Sequence, residues 1–585
     1  MGKNKKIRQK RISKPEAVGP AKRFASGLAW PLAAVLITAV CLLPALKNGF
    51  VNWDDEYYVV NNALLRGPQW IGIFTRPVVS NYHPLSVLSL AANYAISGTE
   101  PWSYLLFNLL LHLANTVLVF WFAYLLSDKK RWVALFTALL FGIHPMHVES
   151  VAWISERKDV LYTLFFLLSL IAYWKYLQTN RSTGYWACFL LFACSLLSKP
   201  AAIVLPLVLL LLDYWKERPF TRRVVLEKIP FFLVGGLFAV ITLKLQSVTA
   251  MTSLDLYPFW VRLFFASYAI IVYLAWFFVP HPLSAFHPFP LPDHLGWTIY
   301  LSPIFLLALI FLIWHFRKNR LVVFGLLFFL INILLVLQLV PIGFTIVSER
   351  YTYVPYIGLA FLVTMIVTKN VSAKRFIPAV AGAVVVFSAF GFLSFKRTQV
   401  WKDSDSLWTD VINRYPNASL PRADRAQFNY SKAITMQGAA AAPLFERVIE
   451  DCSAVINNEA DASKTKGKKG GTSMYQMRSV AYTGLKQYEK ALDDINATLS
   501  ISPNDAEALY QRGTLFVNYY KKYSEALADF DRAIQINPQG KYYLNRSICH
   551  YKLGDLANAR ADAQTASQKR VAIPENYRNI LNAGR

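Results

Sequence analysis

The chain has 585 residues, of which 55% are hydrophobic, 15% aromatic and only 16% charged. That balance excludes a wholly soluble protein and describes an integral membrane protein with a soluble part attached. The net charge of +26 would suit a nucleic-acid binder, but much of the excess lies in an N-terminal tail (Lys3, Lys5, Lys6, Arg8, Lys10, Arg11, Lys14, Lys22, Arg23) and in short loops between apolar stretches. Charge placed this way is an orientation signal, so no nucleic-acid partner is expected.

In chain order, residues 1–27 form the basic tail, and Leu28–Leu46 is long enough to cross a bilayer and longer than an ordinary signal-peptide core. It reads as an uncleaved first transmembrane helix. A few residues on come Asp54, Asp55 and Glu56. Three adjacent carboxylates at a membrane surface suit a general base for an acceptor hydroxyl; a solvated acidic loop is the competing reading.

Eleven further apolar stretches follow: Tyr104–Leu126, Val133–Trp153, Val160–Leu177, Tyr185–Leu197, Ala201–Trp215, Ile229–Leu245, Phe259–Val279, Trp297–Phe316, Leu321–Ile342, Tyr353–Thr368 and Phe376–Phe395. With the N-terminus cytoplasmic, the basic loops after the second, fourth and sixth stretches fall inside, and those after the ninth and eleventh violate the positive-inside rule. One intervening stretch therefore does not cross. Phe259–Val279 carries Arg262, is rich in aromatics and runs into the proline-dense Pro280–Pro292, so it is expected as an interfacial or re-entrant helix.

That leaves about eleven spans within residues 28–395, with the acidic loop, Ser155–Asp159, Ser198–Pro200, Ser348–Arg350 and everything after residue 395 on the outer face. The five cysteines show neither a disulfide framework nor metal spacing.

Beyond Lys396 the sequence turns polar and helix-forming. Residues 396–471 read as a connecting helical region with a degenerate repeat around Ala426–Asn457 and a basic, glycine-rich linker at Lys464–Gly471. Residues 472–585 repeat: Tyr488–Ile495 with Pro503 recurs as Tyr523–Phe530 with Pro538, 35 residues on. That is close to the tetratricopeptide period, and the expected fold is a short α-solenoid whose groove takes an acceptor or partner protein. A packing domain with no ligand of its own is the alternative.

His144-Pro-Met-His147-Val-Glu149 has two histidines three apart beside a carboxylate. This is no zincin motif, and polar lining of a cavity outweighs a metal site. Arg157, Lys158, Lys199 and Arg350 stand at the outer ends of spans. Together they would clamp the phosphate of a lipid-linked donor; singly each could be a snorkelling cation.

Asn48–Asp55, Tyr82-His-Pro-Leu-Ser-Val-Leu88, His144–Leu161, Leu197-Ser-Lys-Pro200 and Ser348-Glu-Arg-Tyr-Thr-Tyr-Val-Pro355, followed by the repeats, together resemble the transmembrane and tetratricopeptide repeat-containing (TMTC-like) family. That family belongs to the polytopic GT-C glycosyltransferases related to protein O-mannosyltransferases. The resemblance covers nearly the whole chain in order. It implies an all-α GT-C-type membrane bundle followed by the solenoid. The implied activity is an inverting transferase that moves a sugar, mannose or another hexose, from a polyprenyl-phosphate donor to a protein Ser or Thr hydroxyl.

Carried over, the paired acid falls on Asp54 and Asp55 and the Glu-Arg before the late span on Glu349 and Arg350. The mechanism expected from the residues has Asp54 or Asp55 as the catalytic base, with Arg157, Lys199 and Arg350 holding the donor phosphate and no metal required. Glu349 orients Arg350 or a sugar hydroxyl, and Glu56, His83, His144, His147 and Glu149 support the site. His83 stands where relatives often have arginine, and the repeat array is short beside those of animal members. The expected location is a bacterial inner membrane with periplasmic repeats, or the endoplasmic reticulum with luminal ones. The competing function is a non-enzymatic, membrane-anchored repeat scaffold for envelope assembly.

Overall fold

Long runs of Leu, Phe, Val and Ala must satisfy their backbone groups internally if they are to lie in lipid, and helix does this within each run. A computed structural model describes residues 20–67, 69–247, 257–290, 295–340, 343–436, 438–458 and 470–583. The first nineteen residues, with most of the basic tail, and residues 459–469, with most of the linker, lie outside the described residues. Among the described residues there is no strand, only the isolated bridges Val78–Asn81 and Pro288–Thr345. The chain divides into two compact units, residues 1–50 with 54–402, and residues 51–53 with 403–585.

Among the described residues each of the twelve apolar stretches of the first unit is mainly helical, although Leu321–Ile342 leaves helix after Val336. Seven described helices are long and apolar enough to cross a membrane, or eight with a bent pair counted as one, and four shorter apolar helices accompany them. The main helices are α1 (Pro20–Leu42), α2 (Pro84–Ser97), α3 (Trp102–Leu126), α4 (Arg131–Gly142), α5 (Val148–Ala152), α6 (Arg157–Thr179) and α7 (Ser182–Ser198). After them come α8 (Leu205–Trp215), α9 (Ile229–Gln246), α10 (Phe259–Phe278), α11 (Trp297–His315), α12 (Arg320–Ile333), α13 (Pro355–Asn370) and α14 (Phe376–Val400).

One expected span is broken. Val133–Trp153 is not a single straight helix: it bends by 55° between α4 and the turn of helix at Pro145–Ala152. Pro145 has no N–H to donate, and the residue before it, His144, is held extended (φ −70°, ψ 128°), which ends the first segment and redirects the second.

The expectation for Phe259–Val279 can be followed through contacts. Arg218 and Glu227 pair at 2.7 Å, Tyr176 donates to Glu227 at 2.8 Å, and Arg320 pairs with Glu217 at 3.3 Å. These contacts gather three basic loops at one end of the bundle. At the other end Gln246 meets Asn81 (2.9 Å), Tyr273 near the C-terminus of α10 accepts from the Ser348 amide, and Arg262 near its N-terminus donates to the Leu339 carbonyl. Arg262 and Tyr273 of α10 thus both contact the segment that follows α12, while α10 is itself one of the seven helices long and apolar enough to cross a membrane. α12 and α13 approach closely at glycines: a Cβ on Gly358 would stand 2.7 Å from the Gly325 carbonyl.

In the second unit, helices α15 (Ser404–Arg414), α16 (Ser419–Ala433), α17 (Ala442–Asn457), α18 (Gly470–Gly484), α19 (Tyr488–Ile501), α20 (Ala506–Leu515), α21 (Tyr523–Ile536), α22 (Gly540–Lys552) and α23 (Leu556–Gln568) succeed one another. The small residues Ala526 and Ala533 and the ring of Phe530 are fully buried, and Gly513 leaves the space that the ring fills.

A ladder of ion pairs sets the register of these repeats. Arg478, Arg512 and Arg546 recur every 34 residues and grip Asp494, Asp529 and Asp562 bidentately. Each also reaches back to the preceding repeat, at Ser453, Asn496 and Asp531 respectively. Arg425 with Asp451 and Thr409 opens the series, within the stretch where the sequence suggests a degenerate repeat.

Candidate functional site

At the bundle end away from the basic loops, short turns interrupt the helices and bring charged residues from distant sequence together. The first is Ile154–Glu156, a 3₁₀ turn that opens α6. The second is the break between α7 and Pro200–Val204, where Lys199 is extended. The third is the turn Glu349–Thr352, and the fourth is the loop carrying Asp54 and Asp55 before the tight turn Glu56–Val60.

Asp55 is almost fully buried (1% exposed), and its Oδ1 accepts from the Ser155 amide at 2.9 Å and the Ser155 hydroxyl at 2.5 Å. Asp54 is the more accessible of the two, and Lys158 approaches its carboxylate at 3.4 Å. Lys158 also lies 3.3 Å from Glu156. Lys199 is 3.5 Å from Glu156 and pairs closely with Asp159. Arg350 meets Glu149 at 2.5 Å and Glu156 at 3.2 Å, and its backbone amide donates to Glu149 at 3.0 Å. Burial works against the Arg350 charge, but Glu149, Tyr351 and Glu156 more than offset it and hold the guanidinium protonated well above its usual range.

Three cations, Lys158, Lys199 and Arg350, therefore mesh with four carboxylates, Asp54, Glu149, Glu156 and Asp159, and Asp55 is tied to the same place through Ser155. Trp153 lies beneath Lys158 and Arg350 (5.8 and 5.4 Å from its ring) and stacks on Trp401. His83 closes one side. It is stacked on Tyr58, whose other neighbour is Lys158, and its buried Nε2 has no hydrogen-bond partner. Burial, then Lys158 and Lys199, lower its pKa to about 3, so the imidazole is neutral.

Several expectations change. Arg157 is not beside the other cations: fully buried, it donates to Asn108 (2.5 Å), Asn93 (2.8 Å) and the Tyr104 carbonyl (2.8 Å), tying α6 to α2 and α3. A helix turns about 100° per residue, so Arg157 faces away from Lys158, and Lys158 takes its place in the cluster. Glu349 pairs with Arg397 of α14 at 3.2 Å, and the carboxylate that orients Arg350 is Glu149.

His144 and His147 do not converge on Glu149. Their rings bond the Phe277 and Phe141 carbonyls, at 3.2 and 2.7 Å. No group of three metal-ligating side chains gathers among the described residues. Glu56 is half-buried and makes no ion pair with the cluster. Glu156, Asp159 and Ser155 were not singled out by sequence reasoning. Their signal was the spacing within Ser155-Glu-Arg-Lys-Asp159, where positions three and four apart share a helix face.

Comparison with known proteins bears on this end of the bundle. Residues 82–245 match the family model for dolichyl-phosphate-mannose-protein mannosyltransferase, and residues 472–505 match that for the tetratricopeptide repeat. The membrane part of the chain is similar to protein mannosyltransferases. Among curated relatives, protein O-mannosyl-transferase TMTC2 of Homo sapiens is 38% identical over 159 residues, 25% of this chain and 19% of that protein. TMTC2 of Xenopus laevis is 38% identical over 238 residues, 36% of this chain and 28% of the relative. TMTC1 of Homo sapiens is 36% identical over 169 residues, 26% and 19% of the two chains.

The matches thus span 19% to 28% of the length of these relatives. His83, His144, Glu156, Lys158 and Lys199 fall inside the matched family segment, whereas Asp54, Asp55 and Arg350 fall outside it. A crystal structure of ArnT from Cupriavidus metallidurans bound to undecaprenyl phosphate aligns over 83% of this chain and 80% of that one, at 14% identity and a TM-score of 0.36, a likeness too remote to carry an argument.

Proposed function

We propose that this protein is an integral-membrane glycosyltransferase of the GT-C type. It moves a hexose, mannose by its likeness to the mannosyltransferases, from a polyprenyl-phosphate carrier to a Ser or Thr hydroxyl of a protein. The observation that carries the proposal is the pairing, at one end of a membrane bundle, of an accessible carboxylate, Asp54, with Lys158, which Glu156 links to Lys199 and Arg350.

The acceptor oxygen attacks the anomeric carbon, the bond from that carbon to the phosphate oxygen breaks, and the hydroxyl proton passes to Asp54 as general base. Asp55, locked by Ser155, fixes the loop that presents Asp54. The leaving lipid phosphate carries the negative charge that develops, and the three cations stabilise it.

The repeats are proposed to hold the acceptor protein. The charge distribution supports an orientation with the site and the repeats on the outer face, periplasmic in a bacterial inner membrane or luminal in an endoplasmic reticulum. The test is transfer of label from radiolabelled polyprenyl-phosphate mannose, with a glucose donor in parallel, to envelope protein by purified enzyme in lipid. Label in protein that depends on the enzyme supports the proposal, and no label from either donor counts against it.

A further inference from the structure

We infer that Glu156 is a positioning residue that sets the three cations of the site as a single phosphate clamp. The inference rests on the glycosyl-transfer reading and adds to it a group that touches no substrate.

The cations come from three separate places in the chain. Lys158 is on the first turn of α6, Lys199 is in the extended break after α7, and Arg350 is in the turn before α13. Side chains as long as these lose considerable rotamer freedom when fixed, and like charges brought together repel. Something must hold them in register while the site is empty.

Each cation has a private carboxylate, and the three are different: Asp54 for Lys158, Asp159 for Lys199 and Glu149 for Arg350. Glu156 alone among the described residues reaches all three, at 3.3, 3.5 and 3.2 Å. Its own position is not free to drift. It sits at the junction of the 3₁₀ turn and α6, is 1% exposed, and stands at a helix N-terminus where a carboxylate is favoured.

The geometry also says what the arrangement leaves available. Each lysine ammonium has three N–H donors and meets two carboxylates here, which leaves one donor direction apiece for an incoming anion. Close by, the buried His83 Nε2 has no partner, a polar group suited to an oxygen of the same ligand. With Glu156 uncharged, each cation would fall back on its private carboxylate and the three would part, although every cation would still be present.

The experiment compares wild type, Glu156→Gln and Glu156→Asp for equilibrium binding of radiolabelled polyprenyl monophosphate in detergent, and for the KM of a polyprenyl-phosphate mannose donor and of an acceptor peptide. The Gln variant removes the charge and the Asp variant retracts it by one methylene. The expected result is a loss of about tenfold or more in phosphate affinity and in donor KM for Glu156→Gln, equivalent to one charge-assisted hydrogen bond. A smaller loss is expected for Glu156→Asp, with the acceptor KM unchanged in both.

Unchanged or tighter phosphate binding by Glu156→Gln would overturn the inference, since it would mean that Glu156 merely competes for the cations. If Glu156→Gln does not fold, wild-type affinity in Glu156→Asp overturns it. A wild type that binds the lipid phosphate but transfers no sugar defeats the transferase reading and leaves the clamp standing; a wild type that binds none defeats both.

Discussion

Replacing Arg350 by lysine keeps the charge and removes the shape, which separates what the guanidinium does from what a cation does. Arg350 holds Glu149 at 2.5 Å and Glu156 at 3.2 Å and donates to the Ser348 hydroxyl at 2.6 Å. Glu149 is wholly buried, so it has no water to turn to. A lysine ammonium reaches one of these acceptors from its shorter, narrower head, and about two charge-assisted hydrogen bonds are lost. At roughly 1.5–3 kcal/mol each, less what the ammonium regains, the cost is about 2–4 kcal/mol.

Arg350→Ala leaves the buried carboxylate unpaired and costs about 3–5 kcal/mol. Thermal unfolding in detergent, followed by tryptophan fluorescence, reads the effect. A cycle with Glu149→Gln isolates the pair: the double variant Glu149→Gln/Arg350→Lys is expected to be less destabilised than the sum of the singles, because the buried charge has gone. An Arg350→Lys protein with wild-type stability and wild-type donor KM would refute the reasoning.

Other consequences reach across both units. Gly358→Val forces a side chain into the Gly325 carbonyl and Phe328, so a loss of about 1–3 kcal/mol, or failure to fold, is expected by the same thermal assay. Arg512→Ala removes the bidentate grip on Asp529 and the reach to Asn496. Limited proteolysis is expected to cut within the repeats sooner while leaving the membrane helices intact.

His83 titrates near 6.5 when unfolded and near 3 in the fold. Between those values the unfolded chain binds the extra proton, so stability falls as pH falls through that window. The thermal midpoint of His83→Asn is expected to decline less steeply with acid than that of the wild type.

The apolar stretches were legible because a bilayer demands long uninterrupted runs, and among the described residues each of the twelve is mainly helical. Their shape was less legible. The break at Pro145 lay inside what hydropathy alone shows as one run, and only proline geometry marks it. The repeats were visible where Ala526, Phe530 and Ala533 recur, but the pair built on Arg425 and Asp451 was obscured because its arginine and aspartate stand farther apart.

At the site, sequence order brought out Asp54, Asp55, Lys199 and Arg350. It did not show Glu156 as a hub, since that role depends on three turns meeting. It also misassigned Arg157, whose neighbour Lys158 faces the cluster from the same helix turn. A buried cation with neutral partners looks the same in sequence as a functional one.

The central claim is that Asp54 is the base that takes the acceptor proton. The direct measurement is the rate of sugar transfer from the polyprenyl-phosphate donor by Asp54→Asn, with donor binding and thermal stability measured on the same sample. A fall in kcat of about 10²–10⁴-fold is predicted, with donor affinity and unfolding temperature close to wild type, because Asp54 is the more exposed carboxylate and contributes one long ion pair. Transfer by Asp54→Asn at the wild-type rate would contradict the account.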